Sequence, residues 1–388
     1  MYEFEWLAGL HTLGEIADVL AVPVPRRGAQ PFAINLPVFA QIADRDILVH
    51  FPYDSFADTA ERFLVEAADD PQVAVIKVTL YRTEDRSGIH SALQRAAAAG
   101  KSVAVVVELK ARFDEAHNIQ WARELRAVGA DVIYGLPNIK THAKIALVVR
   151  RETGGIRRYA YIGTGNFHAL TAGRYTDFGL FTAQPEIGEE VSALFNELTG
   201  FVTGRKYSQL LVAPDQMLSR LRELIAREAS HARAGRVARI RAKMNGLDDT
   251  ELIAALYDAS KAGVEIDLIV RGVCCLMPGI PGVSDRIRVV SVLGPLPEHA
   301  RVLHFSNAGA GEYCIGSADW RSRNLRSRIE VFTPIREPAA VRRLDAVLTR
   351  QMGDPTGWDL LPDGSWHRRT PVGVLVRGSR PALPGTRE

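Results

Sequence analysis

LQRAAAAGKSVAVVVELKAR (93–112) and LYDASKAGVEIDLIVR (256–271) decide the fold, because one pattern is written twice. Each reads L-x-x-A-x-x-A-G and runs into an apolar stretch that ends near an arginine, Arg112 in the first copy and Arg271 in the second. The glycine stops a helix, and an apolar run without alternation marks a strand covered on both faces. The same rhythm surrounds the first copy. A helix capped by Ser55 carries Phe56, Ala60, Phe63, Leu64 and Ala67 on one face, VAVIKVTLYR (73–82) reads as a buried strand, and DVIYG comes after a third helix ending near Gly129. Strands and helices in alternation predict a mostly parallel sheet between helices, with functional loops at the carboxyl ends of the strands.

The stretch downstream of each copy is repeated too. His142-Ala-Lys144-Ile leads into an apolar run and then Tyr-Ile-Gly163-Thr-Gly-Asn166, while His299-Ala-Arg301-Val leads into an apolar run and then Cys-Ile-Gly316-Ser-Ala-Asp319. This predicts a duplicated α/β domain with one half-site per copy and a single site at the interface. Residues i and i+2 of a strand share a face, so His142 with Lys144, and His299 with Arg301, would face one ligand. A phosphate fits each pair, since the cation neutralises non-bridging oxygens while the imidazole attacks phosphorus. Gly163, Gly165 and Gly316 are read as letting backbone approach a ligand or turn tightly. His50, His117, His168 and His304 lack a repeated basic partner and are read as packing, loop or supporting residues.

The 388 residues, 47% hydrophobic and 24% charged, suffice for two domain-sized cores and exclude disorder, collagen-like repeats and coiled coil. A formal charge of +3 is too small to predict a polyanionic partner from the whole-molecule field. Residues 201–245 are locally basic, with ten Lys or Arg against three acids, and read either as a solvated helix face or as a wall facing a polyanion. Three cysteines with no ligand spacing favour a reducing, cytoplasmic setting. The acidic N-terminus does not read as a signal peptide, and no apolar run approaches the ~20 residues that span a bilayer, allowing at most peripheral association with a membrane.

The paired His-x-basic strands resemble the phospholipase D superfamily, in which one histidine is phosphorylated and the other serves as general acid and base. The aspartate that usually comes after the lysine is missing from HAKIALVVR (142–150). A more specific resemblance rests on DILVHFPYDSF (46–56), IKVTLYR (76–82), VELKARFDEAHNIQWA (107–122), IKTHAKI (139–145), YIGTGNFHALTAGRYTDFGLFT (161–182), AKMNGL (242–247), LIVRGVCCLMPG (268–279), EHARVLHFSN (298–307) and IGSADWRSRNL (315–325). In that order they are similar to the catalytic half of the bacterial polyphosphate kinase family, from about residue 36 to about residue 370.

The resemblance implies two tandem phospholipase D-like α/β domains, 36–205 and 206–370, after a lead-in of residues 1–35 and before an irregular tail, 371–388. It implies reversible transfer of the terminal phosphate of ATP to inorganic polyphosphate through a phosphohistidine, with His142 phosphorylated and His299 as the second active-site histidine. Tyr175 and Arg271 match ATP-contacting positions, and His299, Lys144, Arg301 and Asn166 are expected around the phosphates. Arg82 and Arg112 match the family's magnesium-site positions. Arginine has no lone pair for a cation, so they read as phosphate clamps beside a Mg2+ held by phosphate oxygens and water. A homo-oligomer is implied, and nucleic acid is not expected as a partner.

The family's long N-terminal region, which helps bind the ATP base, would be represented by a remnant of about 35 residues. Leu170 and Gly173 replace basic residues, Pro295 replaces an arginine, and Arg321 replaces an apolar residue in the matched motifs. Two other readings stand beside this one: a phospholipase D-like phosphodiesterase or nuclease with water as acceptor, and a truncated homologue that binds polyphosphate without turnover, to which these departures point.

Overall fold

The computed structural model describes residues 31–80, 88–108, 115–135, 139–200 and 204–369, without side chains for 115–119. The lead-in up to residue 30, the tail from residue 370, and Arg82 and Arg112 lie outside the described residues.

The first half builds a seven-stranded sheet. Its strands are β1 (Ile47–Phe51), β2 (Val73–Leu80), β3 (Ser102–Val107), β4 (Asp131–Ile133), β6 (Lys144–Glu152), β7 (Gly155–Gly163) and β8 (Asp177–Thr182), in the order β1-β8-β7-β6-β2-β3-β4; the two-residue β5 (Lys140–Thr141) departs to the other sheet. Only β2-β3 and β3-β4 run parallel. The expectation of a mostly parallel sheet is therefore corrected: helical crossovers connect residues 73–133, but β6, β7 and β8 continue as a meander without crossover helices, and β1 joins their edge antiparallel. Helices Arg62–Asp69 and Gly88–Ala98 cover one face, and helix Pro185–Leu198 covers the other. The Ser55 hydroxyl accepts the Asp58 N–H at 3.2 Å, though the first turn, Ala57–Glu61, is a π-helical one. Gly100 and Gly129 end their helices at φ of +81° and +95°.

The second half repeats the plan in a ten-stranded sheet. It contains β9 (Leu211–Ala213), β10 (Arg239–Met244), β11 (Glu265–Val270), β12 (Ile287–Ser291), β13 (Arg301–Phe305), β14 (Glu312–Gly316), β15 (Arg328–Ile335), β16 (Trp358–Leu360) and β17 (Trp366–Arg368), with β5 on its edge. Again β10, β11 and β12 are parallel and β13, β14 and β15 form an antiparallel meander. Helix Pro338–Met352 takes the place that Pro185–Leu198 holds in the first half.

The halves share core. Leu48, Phe178 and Leu180 pack with Ile269, Ala300, Val302, Ile315 and Leu344, while Ile145, Ile162 and Leu194 pack with Val212, Ile329 and Val331. Apolar burial across the boundary fixes one half on the other. Pairing of Lys140–Thr141 with Arg328–Ile329 adds backbone to that bond.

Most of the basic segment 201–245 is paired with carboxylates: Arg220 with Glu223, Arg222 with Glu251, Arg227 with Glu312, Arg239 with Asp267, Arg241 with Asp345 and Lys243 with Glu298. The solvated helix face describes Arg220, Arg222 and Arg227 on helix Met217–Arg233, whereas Arg239, Arg241 and Lys243 lie on β10, with Arg241 and Lys243 buried.

The motif glycines make room for protein rather than for ligand. A Cβ on Gly165 would stand 2.2 Å from a carboxylate oxygen of Asp177, and one on Gly316 would stand 2.2 Å from the Val331 carbonyl. Gly173, by contrast, faces open space. Gly316→Ala should therefore lower the urea midpoint by the equivalent of about 1–3 kcal/mol or more, whereas Gly173→Ala should hold or slightly raise it. Chemical denaturation followed by circular dichroism checks both.

Candidate active site

His142 and His299 each leave one half and are held by the other. Beyond β5, the N–H groups of His142 and Ala143 both donate to the carbonyl of Ile329, at 2.9 Å, and His142 Nδ1 lies 2.9 Å from the Glu330 carboxylate. Before β13, the N–H groups of His299 and Ala300 donate to the carbonyl of Thr176, at 3.2 and 2.9 Å, and His299 Nδ1 lies 2.9 Å from both oxygens of Asp177. The same bonds are made twice, in opposite directions across the boundary. Thr164 and Ser317 complete the repeat. The Thr164 hydroxyl donates to Asp177 and accepts the Phe178 N–H at 2.9 Å, and the Ser317 hydroxyl accepts the Val331 N–H at 3.1 Å.

The basic partners sit as the two-residue spacing requires. Lys144 is buried and donates to the His142 carbonyl. Arg301 is buried, grips Asp319 through two bonds of 3.1 Å, and reaches His299 Nε2 at 3.0 Å and its carbonyl at 2.7 Å. A guanidinium only donates, so Nε2 of His299 accepts and its Nδ1 carries the proton bonded to Asp177. His142 has the matching arrangement, with Nδ1 on Glu330.

Burial and neighbouring cations set the charges. Desolvation first, then Lys144, Arg301 and Arg328, push His142 well below the usual imidazole range. Desolvation likewise lowers His299, with Asp177 opposing it and Arg301 adding to it. Both rings are therefore neutral near pH 7, as a nucleophile requires. Burial drives Lys144 down to about 7 and Glu330 up to about 7, each towards its neutral form. Asp177 responds oppositely, because its bonds to His299 and Thr164 outweigh burial and keep it below the usual carboxylate range.

Tyr175 stands edge-on to His299, with ring centroids 5.5 Å apart. Arg271 feels the charges of Arg301, Asp319 and Asp177, and desolvation lowers it; no carboxylate among the described residues pairs with it. The Asn166 side-chain oxygen, like that of Asn245, is buried with no hydrogen-bond partner among the described residues. His142, Lys144, Asn166, Tyr175, Arg271, His299 and Arg301 thus gather at one interface, while Arg82 and Arg112 are not described. Of the departures, Arg321 is bonded to Asp248 at 2.7 Å rather than turned to a ligand, and Leu170, Gly173 and Pro295 are exposed.

Sequence reasoning missed Asp177 and Glu330 as the histidines' partners. The signal was present, since each lies eleven residues after the Asn166 or Asp319 of its copy. The expected magnesium-site positions, Arg82 and Arg112, lie outside the described residues. Among the described residues no group of three or more His, Cys, Asp or Glu is arranged for a metal, and Asp177, Glu330, Asp319 and Glu298 are engaged by His299, His142, Arg301 and Lys243.

Duplicated α/β halves with paired His-x-basic strands define a phospholipase D-like protein. The phosphatidylserine synthase of Haemophilus influenzae shares this fold, with a TM-score of 0.54 and 12% identity over 79% of this chain and 86% of that one. The chain belongs to the polyphosphate kinase family: residues 37–204 match the family model described as Polyphosphate kinase C-terminal domain 1, and residues 210–374 match C-terminal domain 2. A polyphosphate kinase of Thermosynechococcus vestitus is 55% identical over 90% of this chain and 48% of its own length. The polyphosphate kinase structure from Porphyromonas gingivalis matches with a TM-score of 0.84 and 38% identity, over 92% of this chain and 55% of that one. The chain thus spans about half the length of the relatives it matches. Among the described residues no helix is long and apolar enough to cross a membrane.

Asp177→Asn removes the carboxylate that holds His299 up, so the ring should titrate at still lower pH in nitrogen-detected NMR while His142 stays in place. The unfolded ring titrates near ~6.5. A ring lowered by folding contributes its full stability above that value and loses it as pH falls towards the folded value. Asp177, itself lowered, contributes above its unfolded value. Both effects have one sign, so Asp177→Asn should unfold at higher pH than the parent during acid titration.

Proposed function

We propose that the cleft transfers the terminal phosphate of ATP to inorganic polyphosphate, reversibly, through a phosphohistidine on His142. The observation that carries the reading is the pair of neutral imidazoles, each fixed by a carboxylate of the opposite half, within a surround of Lys144, Arg271, Arg301 and Arg328. The nucleotide enters with its divalent cation, Mg2+, on the phosphate oxygens as part of the substrate.

His142 Nε2 attacks the γ-phosphorus, the bond from phosphorus to the bridging oxygen breaks in line, and ADP leaves with that electron pair. Glu330 takes up the positive character of the ring through the Nδ1 proton. The terminal oxygen of polyphosphate then attacks the same phosphorus, the P–N bond breaks, and neutral His142 returns with the chain one unit longer. The buried cations neutralise the charge on the equatorial oxygens, which phosphoryl transfer demands more than covalent assistance. His299 serves the entering and leaving oxygens as acid and base. We place this activity in the cytoplasm and in a homo-oligomer.

Incubation with γ-labelled ATP should give an acid-labile label on His142. His142→Ala should abolish the label and lower turnover by at least about a thousandfold. Label on another residue, or its absence from active protein, overturns the assignment. Release of inorganic phosphate without chain growth, together with cleavage of a chromogenic phosphodiester, would favour the phosphodiesterase reading.

A further inference from the structure

The two half-sites differ in what stands behind the histidine. Glu298 precedes His299 and points the other way, into the second half, where it is 3% exposed. One of its carboxylate oxygens collects partners from three elements. The ammonium of Lys243 on β10 lies at 3.3 Å, the Gln351 amide from helix Pro338–Met352 donates at 2.7 Å, and the hydroxyl of Thr176 donates at 2.7 Å across the boundary. Thr176 is the residue before Asp177, and its backbone is already bonded to this segment: it donates to the Pro297 carbonyl at 3.0 Å and accepts from His299 and Ala300. Lys243, Glu298 and Thr176 are all buried.

The duplication supplies an internal control. In the register of the paired strands, Leu80 stands opposite Val107 as Met244 stands opposite Val270, so Thr79 occupies the position of Lys243. Thr141 precedes His142 where Glu298 precedes His299, and its hydroxyl is buried with no hydrogen-bond partner among the described residues. Ile329 precedes Glu330 where Thr176 precedes Asp177 and offers no polar side chain. Three positions that form a buried ionic clamp behind His299 are two threonines and an isoleucine behind His142.

We infer that Lys243, Glu298, Gln351 and Thr176 are positioning residues for His299: they fix Asp177 against its Nδ1 so that the ring keeps one orientation whether or not it carries a second proton. The inference rests on the phosphotransfer reading and deepens it by giving a reason for two unequal histidines. A ring that changes protonation at each transfer needs its carboxylate held when the charge changes. A ring that forms and breaks a bond to phosphorus has no equal need for such a clamp. A buried ion pair is weak support for stability as such, because its desolvation opposes its attraction, so a role in geometry is the better account of this one.

The test uses the whole chain in two variants. Thr176→Val keeps the backbone bonds and the shape but cuts the link to Glu298. The double variant Lys243→Met with Glu298→Gln removes both charges together, so that no unpaired ion is left buried. Turnover of ATP with polyphosphate, KM for ATP, and ring titrations of His142 and His299 by NMR are measured for each. The expectation is turnover lowered about tenfold or more with KM for ATP unchanged within about twofold, and a shifted titration for His299 but not for His142. Unchanged turnover and an unchanged His299 titration in either folded variant overturn the inference. Equal shifts of both rings also overturn it, since they indicate general loosening. If the parent protein turns nothing over, the functional reading fails, and the ring titrations still decide whether the clamp exists.

Discussion

Each imidazole of the cleft takes its orienting carboxylate from the other half of the molecule. His142 depends on Ile329 and Glu330, and His299 depends on Thr176 and Asp177. Neither half can orient its own histidine, so docking of the halves is a condition for the site and not merely its setting. The shared apolar clusters and the β5-β15 pairing are then requirements: a hinge between the halves would break at least five backbone bonds and two histidine-carboxylate contacts at once.

Duplication gives symmetry of placement and leaves chemistry to individual residues. In the second half, Arg301 is tied to Asp319, a full ion pair that keeps Asp319 well below the usual carboxylate range. In the first, Lys144 stands beside neutral Asn166 and is lowered by burial to about 7. Asp177 is held below the usual carboxylate range against His299, whereas burial raises Glu330 to about 7 despite the opposing pull of Lys144, Ser317, Arg301 and Arg328. A firm anion stabilises an imidazolium and suits proton transfer; a weaker one leaves the ring neutral and nucleophilic. The assignment of the two roles thus has a local electrostatic basis.

The fold was legible to the extent that it rested on local periodicity. L-x-x-A-x-x-A-G and the apolar run after it exposed both crossover units, and Gly100 and Gly129 marked real helix ends. Strand direction was not legible beyond residue 133, because an apolar run reads alike in a crossover and in a meander. Within the site, His142 with Lys144 and His299 with Arg301 were visible through their repeated spacing. Asp177 and Glu330 were hidden because a carboxylate in a strand is marked by its partner, and that partner lies 188 and 122 residues away in sequence for Glu330 and Asp177 respectively. Gly165 illustrates the same limit: its motif pointed to a ligand, while its reason is the approach of Asp177.

The electrostatics of the cleft favour an anion inside it. Lys144, Arg271 and Arg301 are brought together where burial penalises each charge and where every one depresses His142 or His299 or both. Asp319 answers Arg301, but Arg271 has no carboxylate among the described residues. Gathering these cations carries a repulsive cost, which a bound anion would reduce. The carboxylates nearby offset part of it: Asp319 and Asp177 favour the charged forms of Arg301 and Arg271, and Glu330 and Asp177 favour that of Lys144. Acids that fix geometry beside a cluster of buried cations are the arrangement expected of a site for an anionic ligand, in keeping with the proposed phosphotransfer.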